Sequence, residues 1–466
     1  MIIDTLRADH LGCYGNPVMR TPSIDGLAAQ GMRFTHVYPE AMPTVPARRS
    51  MMTGRRIFPF RNWEPWRGLG ESGGWAPIFP SEPTIAKAMH RAGYWTGYVT
   101  DTPSLAFAGV YESFRNSFDD FRPLRGQNLR RGITHRVPPE EAIRRLPGYL
   151  QHQPYIDDLR AYMANNGFAN GAVEETGSAT ARVFSEGIDA LKKVGRRRGR
   201  FFLTVDAFDP HEPWAIPEKY LDMYRPAGSD FVEIGDIRYG PVQDWRQAEL
   251  ERVRMTYAAG VTMADRWLGE LLHQLESMGL ADSTVVMLAS DHGILLGERD
   301  WVGKNAWLLH PEMMHVPMII RHPDGRGGGE TSDWWASTHD VAPTLMSLAA
   351  GRRPDGFEGA DLSPILDGDE PDESRDFAYG GYANDLFVRH DKWAFVSDNQ
   401  FKGNRLYDVE ADPGERRDLS AEEPDVVSEL YEMLLGEIGE RPPFYTEEQR
   451  YAEPLQKQDL ASRDPG

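Results

Sequence analysis

Residues 283–293 read Ser-Thr-Val-Val-Met-Leu-Ala-Ser-Asp-His-Gly, an apolar run that ends in an acidic and an imidazole side chain. A run without alternating polar residues is typical of a strand that is buried on both faces. Phe201–Ala207, Phe-Phe-Leu-Thr-Val-Asp-Ala, is a second run of this kind, and a long helix is predicted between the two at 247–278. Buried strands that alternate with helices predict a parallel sheet with helices on both faces.

The same alternation continues towards both ends of the chain. Further helices are predicted at 22–31, 46–54, 83–92, 172–194 and 341–350, and further strands at 1–4, 33–38, 95–100 and 316–320. From about residue 370, short alternating segments at 385–389, 393–397 and 405–409 precede a helix at 424–438. The fold class is therefore predicted to be α/β, with a large, mostly parallel sheet flanked by helices and a small C-terminal α+β subdomain that contains an antiparallel sheet.

The pattern divides the chain into two units. Residues 1–365 are predicted to form the large domain, interrupted by an irregular insertion at about 104–170 that is rich in arginine, proline and tyrosine. Residues 366–466 are predicted to form the small subdomain and a tail. A chain of 466 residues is long enough for this division.

Composition limits the partners and the compartment. The net charge of −20 argues against nucleic acid and anionic membranes as partners, although it allows a local basic pocket for a small anionic substrate. The single cysteine, Cys13, excludes an internal disulfide framework and fits a reducing compartment. No apolar run approaches the roughly 20 residues that span a bilayer, and the start, Met-Ile-Ile-Asp, contains no signal peptide. We therefore predict a cytoplasmic protein without a nucleic-acid or membrane partner, and a homo-oligomer is left open.

Side chains that bind metal ions follow two predicted strands at their carboxyl ends. Asp4 ends the first strand, and Asp291 and His292 end the apolar run at 283–290. Because ligands of open α/β sheets bind at this edge, we expect the three side chains to lie together. Two carboxylates and an imidazole suit one hard or borderline divalent cation, Ca²⁺ or Mn²⁺ first and Zn²⁺ second. The structural alternative is a helix-capping Asp and a simple Asp-His-Gly turn.

Residues 41–54, Ala-Met-Pro-Thr-Val-Pro-Ala-Arg-Arg-Ser-Met-Met-Thr-Gly, are typical of a turn that leads into a helix. Pro46 suits the first helical turn and Gly54 suits the helix end. Thr44 then lies just before the helix N-terminus, where free N–H groups favour an anion, and Arg48 lies about one helical turn further on. A hydroxyl and a guanidinium can therefore face one oxyanion. Taken alone, Thr44 fits a capping residue of an ordinary surface helix better than a functional residue.

Two further candidates follow buried strands. His211 lies in Asp-Pro-His-Glu-Pro-Trp after the second apolar run, and Lys304 lies in a glycine-rich loop after the Asp-His pair. A divalent cation would lower the pKa of a coordinated hydroxyl, which a threonine nucleophile needs because a free alcohol is weak at neutral pH. Arg48 and Lys304 would hold the non-bridging ester oxygens, and His211 would protonate the leaving oxygen. The alternatives are a structural loop histidine and a solvated lysine.

Taken together, these motifs resemble the sulfatases of the alkaline phosphatase superfamily over nearly the whole chain. The matching segments are, in order, Asp4-Thr-Leu-Arg-Ala-Asp-His-Leu-Gly-Cys-Tyr-Gly15, Thr21-Pro-Ser-Ile-Asp-Gly-Leu-Ala, Thr44-Val-Pro-Ala-Arg48, Asp209-Pro-His-Glu-Pro, Ser290-Asp-His-Gly293 with Lys304, His315-Val-Pro-Met-Ile-Ile, Leu406-Tyr-Asp408 and Asp412-Pro-Gly-Glu415. The resemblance implies an alkaline-phosphatase-like sandwich. It implies that one metal ion is bound by Asp4, Thr44, Asp291 and His292. It also implies that the ester group is contacted by Arg48, His211 and Lys304.

Three departures from the family pattern bear on function. Family sulfatases carry Cys or Ser at position 44, which is converted to formylglycine, and threonine cannot form that aldehyde. The Lys and His that often follow the Gly-Tyr-x-Thr strand are absent at 98–103. Thr5 stands where many sulfatases have a second Asp ligand, so the site is less negative and closer to that of phosphonate monoester hydrolases. A threonine nucleophile is similar to those of nucleotide pyrophosphatase/phosphodiesterases and lipoteichoic acid synthases.

The main hypothesis is a metal-dependent hydrolase of small anionic sulfate or phosphate esters, in which Thr44 attacks in line and forms a covalent intermediate. We favour phosphodiester or phosphonate esters, because phosphoryl transfer tolerates a plain alkoxide, whereas a sulfated formylglycine hydrate can expel its sulfate by elimination. The alternatives are a sulfuric ester hydrolase in the strict sense, a phosphotransferase that passes the group to an acceptor alcohol, and a catalytically inactive protein that keeps the fold.

Overall fold

An eight-stranded sheet lies at the centre of the computed structural model, which describes residues 1–67, 69, 73–125, 168–169, 172–196, 199–226, 237, 239–243, 245–450 and 455–464. Across the sheet the strands are, in order, Thr331–Ser332, Met32–Phe34, Met318–Arg321, Val286–Ala289, Ile2–Ile3, Phe201–Ala207, Trp95–Thr100 and Asp120–Pro123. Of these eight strands, Met318–Arg321 alone runs antiparallel to its neighbours. The predicted α/β fold with a large, mostly parallel sheet is confirmed.

Helices cover both faces of this sheet. One face is covered by Pro22–Gln30, Ala179–Gly195 and Gln247–Ser277, and the other by Thr44–Thr53, Ile85–Arg91 and Val341–Ala350. Each set of helices packs on the sheet in its own hydrophobic core. In the strand Trp95–Thr100, Val99 packs with the first set of helices and the adjacent Tyr98 packs with the second. This is why the strand sequences show continuous apolar runs rather than alternation.

The C-terminal sheet has five strands, in the order Arg405–Asp408, Trp393–Asp398, Asp385–His390, Phe377–Tyr382 and Ala41–Met42. The first four are antiparallel, as the alternating sequence predicts, and the helix Pro424–Ile438 packs on them through Leu430 and Leu434. The fifth strand comes from the N-terminal part of the chain and pairs in parallel, Ala41 opposite Gly381. The C-terminal sheet is therefore hydrogen-bonded to the segment that leads directly into the helix Thr44–Thr53.

Several element boundaries differ from the prediction. The helix predicted at 172–194 begins at Ala179, because the Ser178 side chain caps it by accepting a hydrogen bond from the Ala181 N–H. Within the stretch predicted as an insertion, Asp120–Pro123 is an edge strand of the main sheet. Residues 126–167 of that stretch lie outside the described residues, and the division at 365/366 stays a prediction. Among the described helices we find none whose length and apolar character would let it cross a bilayer.

A buried ionic network connects the loop at Glu415 to the C-terminal sheet through Arg389 and to the preceding part of the chain through Arg299 and His310. The Glu415 carboxylate accepts hydrogen bonds from Arg389 Nη2 at 2.5 Å and from His310 Nδ1 at 2.7 Å, and Arg299 donates to the Glu415 carbonyl. Burial alone would raise the pKa of Glu415, but Arg389 and His310 hold it below its ordinary value. This network is therefore stabilising only while Glu415 is ionised.

We expect Glu415→Gln to lower the free energy of unfolding by about 3 kcal/mol at pH 7, because the Arg389 guanidinium is then buried without its charged partner. The stabilisation is present above the ordinary pKa of glutamate, about 4.3, and is lost as the pH falls through the lower folded-state value. Urea unfolding at several pH values measures it, and the difference between wild type and variant should shrink in acid. The exposed neighbour provides the control: Glu410→Gln should stay within about 0.5 kcal/mol of wild type. Equal stability of the two variants would contradict the assignment.

Candidate active site

Thr44 is the first residue of the helix Thr44–Thr53 and is almost buried, with 8% of its surface exposed. The prediction placed Thr44 just before the helix; in the structure the N-cap is Pro43, which makes no side-chain capping bond. The Thr44 side chain does not cap the helix either, because its Oγ1 lies 3.3 Å from His292 Nε2. The hydroxyl is thus directed away from its own backbone and towards the predicted metal ligands.

The structure brings Asp4, Asp291 and His292 together as predicted. All three are fully buried, and one ligand atom from each lies within 4.8 Å of the others. His292 Nδ1–H donates to the Gly293 carbonyl at 2.8 Å, so the lone pair of Nε2 faces the carboxylates, 3.4 Å from Asp291 Oδ2 and 3.9 Å from Asp4 Oδ1. This is the tautomer that a metal-binding imidazole needs.

Asp4 supplies the test of whether a cation fits. Both of its carboxylate oxygens are buried, and neither accepts a hydrogen bond of good geometry from the described residues, although Oδ2 forms an ion pair with Arg48 Nη2 at 3.1 Å. Burial and the neighbouring Asp291 raise the pKa of Asp4 well above its ordinary range, and burial lowers the pKa of His292 to about 4. Buried carboxylate oxygens that lack a well-formed hydrogen bond, beside a neutral imidazole, are suited to a divalent cation. We therefore find that these residues fit the metal site that the resemblance implies.

The main sheet explains why these ligands meet. Ile2–Ile3 lies parallel to Val286–Ala289 on one side and to Phe201–Ala207 on the other, so their carboxyl ends share one edge. Asp4 leaves the first strand and Asp291 follows the second. Thr5, next along the chain, has a left-handed backbone with φ of 54°, and its N–H donates to Asp291 Oδ1 at 3.0 Å. The chain turn after Asp4 therefore also orients the second carboxylate.

Arg48 lies inside the carboxylate cluster. Its guanidinium is 1% exposed, with Nη1 2.5 Å from Asp291 Oδ2 and Nη2 3.1 Å from Asp4 Oδ2. Burial disfavours the charged form, but Asp206, Asp291 and Asp4 together hold the pKa of Arg48 above its ordinary range. The predicted role of Arg48 in binding ester oxygens stays a prediction, since in this structure its N–H groups are directed at carboxylates.

Asp206 is the site residue that sequence reasoning missed. It lies within the strand Phe201–Ala207, is fully buried, and forms an ion pair with Arg48 Nη2 at 2.7 Å. The available signal was its position: an ionisable side chain inside a strand that is buried on both faces requires a charged or hydrogen-bonding partner.

His211 and Lys304 are in hydrogen-bond contact, and their predicted roles on the ester group stay predictions. Lys304 Nζ donates to His211 Nε2 at 2.5 Å, and His211 Nδ1–H donates to the Glu212 carbonyl at 2.5 Å. The imidazole stacks on Phe208 with ring centroids 4.1 Å apart. Burial and the Lys304 charge lower the pKa of His211 well below its ordinary range, so the ring is neutral at pH 7. The Lys304 charge also acts to lower the pKa of Asp4, against the larger effects of burial and Asp291.

Two family models match the amino-acid sequence. The model described as Sulfatase matches residues 1–351, and the model described as N-sulphoglucosamine sulphohydrolase, C-terminal, matches residues 297–439. The chain belongs to the sulfatase family. The predicted assignment of the chain to this family, within the alkaline phosphatase superfamily, is confirmed. The protein is therefore an ester hydrolase. Members of the family depend on a divalent metal ion.

Sulfatase-family relatives align over nearly the full chain. An arylsulfatase from Clostridium perfringens (strain 13 / Type A) is 24% identical over 471 residues, which cover 96% of this chain and 95% of that protein. The multifunctional alkaline phosphatase superfamily protein PehA of Trinickia caryophylli is 22% identical, with 91% of this chain and 90% of that protein covered. The crystal structure of phosphonate monoester hydrolase of Agrobacterium radiobacter gives a TM-score of 0.71 at 22% identity, with 94% of this chain and 95% of that chain covered.

We expect Asp4→Asn to weaken metal binding by about 100-fold or more, because it removes the charge of a ligand. Loss of a group that only orients a ligand already costs about 10- to 100-fold in metal affinity. Isothermal titration of the metal-free protein with Mn²⁺ and with Ca²⁺ measures this, and the increase in Tm on adding metal should disappear in the variant. Asp265→Asn is the matched control. Asp265 is a buried carboxylate that accepts hydrogen bonds from the Ser23 and Ile24 N–H groups, away from the site. Wild-type metal affinity in Asp4→Asn would contradict the assignment.

Proposed function

We propose that the protein hydrolyses small anionic esters through a covalent intermediate on Thr44, with phosphodiesters and phosphonate monoesters favoured over sulfate esters. One observation carries the proposal: Thr44 Oγ1 lies 3.3 Å from His292 Nε2 beside two buried carboxylates, instead of capping its helix. A nucleophile is needed at this place, and threonine cannot provide the aldehyde hydrate of conventional sulfatases. The Thr44 hydroxyl itself is then the attacking group.

The groups that would hold the ion are Asp4, Asp291 and His292, with Thr44 as a further ligand. When bound, a divalent ion supplies positive charge that lowers the pKa of a coordinated hydroxyl and neutralises ester oxygens. Mn²⁺ or Ca²⁺ suits the two carboxylates better than Zn²⁺ does, because hard cations prefer oxygen ligands.

In the first step Thr44 Oγ1, its proton having passed to solvent, attacks phosphorus while the bond to the leaving alcohol breaks. The leaving oxygen takes a proton from the Lys304–His211 pair. Since His211 is neutral, its Nδ1–H is engaged by the Glu212 carbonyl and its Nε2 accepts from Lys304, the proton passes to the leaving oxygen from another N–H of the Lys304 ammonium, which His211 holds in place. We therefore place the acid on the pair, rather than on His211 alone as the sequence suggested.

In the second step the same pair, now one proton short, accepts a proton from water as the water oxygen attacks phosphorus. The bond to Thr44 breaks, and phosphate monoester or phosphonate leaves. This reversal of roles between steps is the usual requirement of a double displacement. A sulfate on a plain threonine must be released in the same way, without the elimination open to a formylglycine hydrate, which is why we favour phosphoryl esters.

A cavity of about 560 Å³ beside Lys304 would receive the leaving alcohol. Its wall includes Trp307, Tyr382, Asp385 and Phe444. Trp307 is 54% exposed and Phe444 41% exposed, so two aromatic rings are available at the mouth. Mixed aromatic and polar walls are typical of pockets that bind small molecules. This supports a small organic leaving group.

We expect Thr44→Ala to reduce kcat by about 10⁴-fold or more, because removal of a nucleophile disables the whole catalytic unit. Thr44→Ser should keep measurable turnover, since it retains the hydroxyl. Metal affinity of Thr44→Ala, measured by titration, should stay within about tenfold of wild type, as Asp4, Asp291 and His292 remain. Turnover at the wild-type rate in Thr44→Ala would exclude the covalent scheme.

A substrate panel tests the ester class. With Mn²⁺, Ca²⁺ or Zn²⁺ added, we expect kcat/KM for bis-p-nitrophenyl phosphate and p-nitrophenyl phenylphosphonate to exceed that for p-nitrophenyl sulfate. A higher value for the sulfate would favour a sulfuric ester hydrolase. Formation of glyceryl p-nitrophenyl phosphate from bis-p-nitrophenyl phosphate when glycerol is present would show a phosphotransferase. Normal metal binding without turnover of any ester would point to a catalytically inactive sulfatase-like protein.

A further inference from the structure

Asp206 accepts hydrogen bonds from four side chains around one buried point. Its Oδ1 lies 2.7 Å from Arg48 Nη2 and its Oδ2 lies 3.1 Å from Arg48 Nε, which makes a two-pronged contact with the guanidinium. Oδ2 also accepts from Tyr98 at 2.9 Å, Thr100 at 3.0 Å and Thr102 at 3.2 Å. A carboxylate with this many donors inside a buried strand is fixed in orientation.

The guanidinium is thereby held between Asp206 and the metal ligands. Nε and Nη2 face Asp206, while Nη1 and Nη2 reach Asp291 and Asp4. Because the guanidinium is planar and rigid, fixing one side fixes the positions of the N–H groups on the other. The three hydroxyl donors come from Trp95–Thr100 and the residues after it, a different strand from Asp206. Two strands thus cooperate to orient one arginine.

Charge gives Asp206 a second role. Without it, a single guanidinium would be shared between Asp4 and Asp291, and their charge would be partly neutralised before any cation arrived. When ionised, three carboxylates with one guanidinium leave a charge of −2, which one divalent cation balances. Thr5, buried directly after Asp4, contributes no charge of its own.

We propose that Asp206 is a positioning residue of the active site: it orients Arg48 against Asp4 and Asp291, and it balances the arginine charge so that these two carboxylates remain available to the metal ion. The kinetic part of this inference rests on the proposed function. The metal-binding part does not, since it can be measured without turnover.

The first test is Asp206→Asn, which keeps the shape and removes the charge. We expect the Kd for Mn²⁺ and for Ca²⁺, measured by titration of the metal-free full chain, to rise by about 10-fold or more, as for other groups that orient metal ligands. The control Asp265→Asn loses a buried carboxylate elsewhere and should keep its metal Kd within about twofold. A metal Kd within twofold of wild type in Asp206→Asn would overturn the charge role.

A second variant tests the charge role of Asp206 by restoring a carboxylate elsewhere in the site. Thr5→Asp adds a carboxylate next to Asp4, and Asp tolerates the left-handed backbone at φ of 54° better than Thr does. In the double variant Thr5→Asp/Asp206→Asn we expect at least half of the lost binding free energy to return, as a double-mutant cycle would show. A double variant that binds metal no better than Asp206→Asn overturns the charge role.

The orienting role is tested with the charge left in place. Tyr98→Phe/Thr102→Val removes two hydroxyl donors to Asp206 and should keep the metal Kd within about threefold while lowering kcat by about tenfold, with little change in KM. If Asp206→Asn does not fold, this variant still decides the orienting role. Wild-type kcat would overturn the orienting role. If no ester is turned over even by the wild-type protein, the proposed function fails, and the metal titrations still decide the charge role.

Discussion

The guanidinium of Arg48 is surrounded by Asp4, Asp206 and Asp291 at the carboxyl edge of the main sheet, and the rest of the site depends on this arrangement. Three carboxylates brought this close would repel one another strongly in a buried environment. The helix Thr44–Thr53 supplies the compensating charge, and the first residue of the same helix carries the hydroxyl. The position of the hydroxyl and the electrostatic stability of the cluster are consequently set by one element.

The residues that the family pattern leads one to expect near the metal ligands differ from those in this chain. The family resemblance leads one to expect a second acidic ligand at position 5 and a lysine and a histidine near 101–103. Here position 5 holds Thr5, and residues 98–103 contain neither a lysine nor a histidine, while Asp206 accepts hydrogen bonds from Thr100 and Thr102. Asp101 is itself buried, and burial together with Asp209 raises its pKa to about 8. The chain therefore departs from the family pattern at position 5 and at 98–103 as well as at position 44.

Most of the fold could be predicted from the sequence because the apolar runs report burial directly. The ligands Asp291 and His292 could be placed because they follow such a run, and ligands of parallel sheets gather at that edge. Asp206 could not be placed in the site, because its partner Arg48 lies 158 residues away and the strand pattern carries no sign of a specific contact. The pairing of Ala41 with Gly381 could not be predicted either, because a two-residue strand has no periodicity and its register is set by the tertiary fold.

That short strand, Ala41–Met42, also limits how this protein can diversify. The sheet that contributes Tyr382 and Asp385 to the wall of the cavity beside Lys304 is hydrogen-bonded to the chain two residues before Thr44. An exchange of the C-terminal sheet between relatives, whether by recombination or by design, would therefore move the entry to the Thr44 helix together with the pocket. The cavity wall and the start of the helix Thr44–Thr53 are therefore structurally linked. New substrates would be reached more readily by changing side chains at the cavity mouth than by replacing the C-terminal sheet as a cassette.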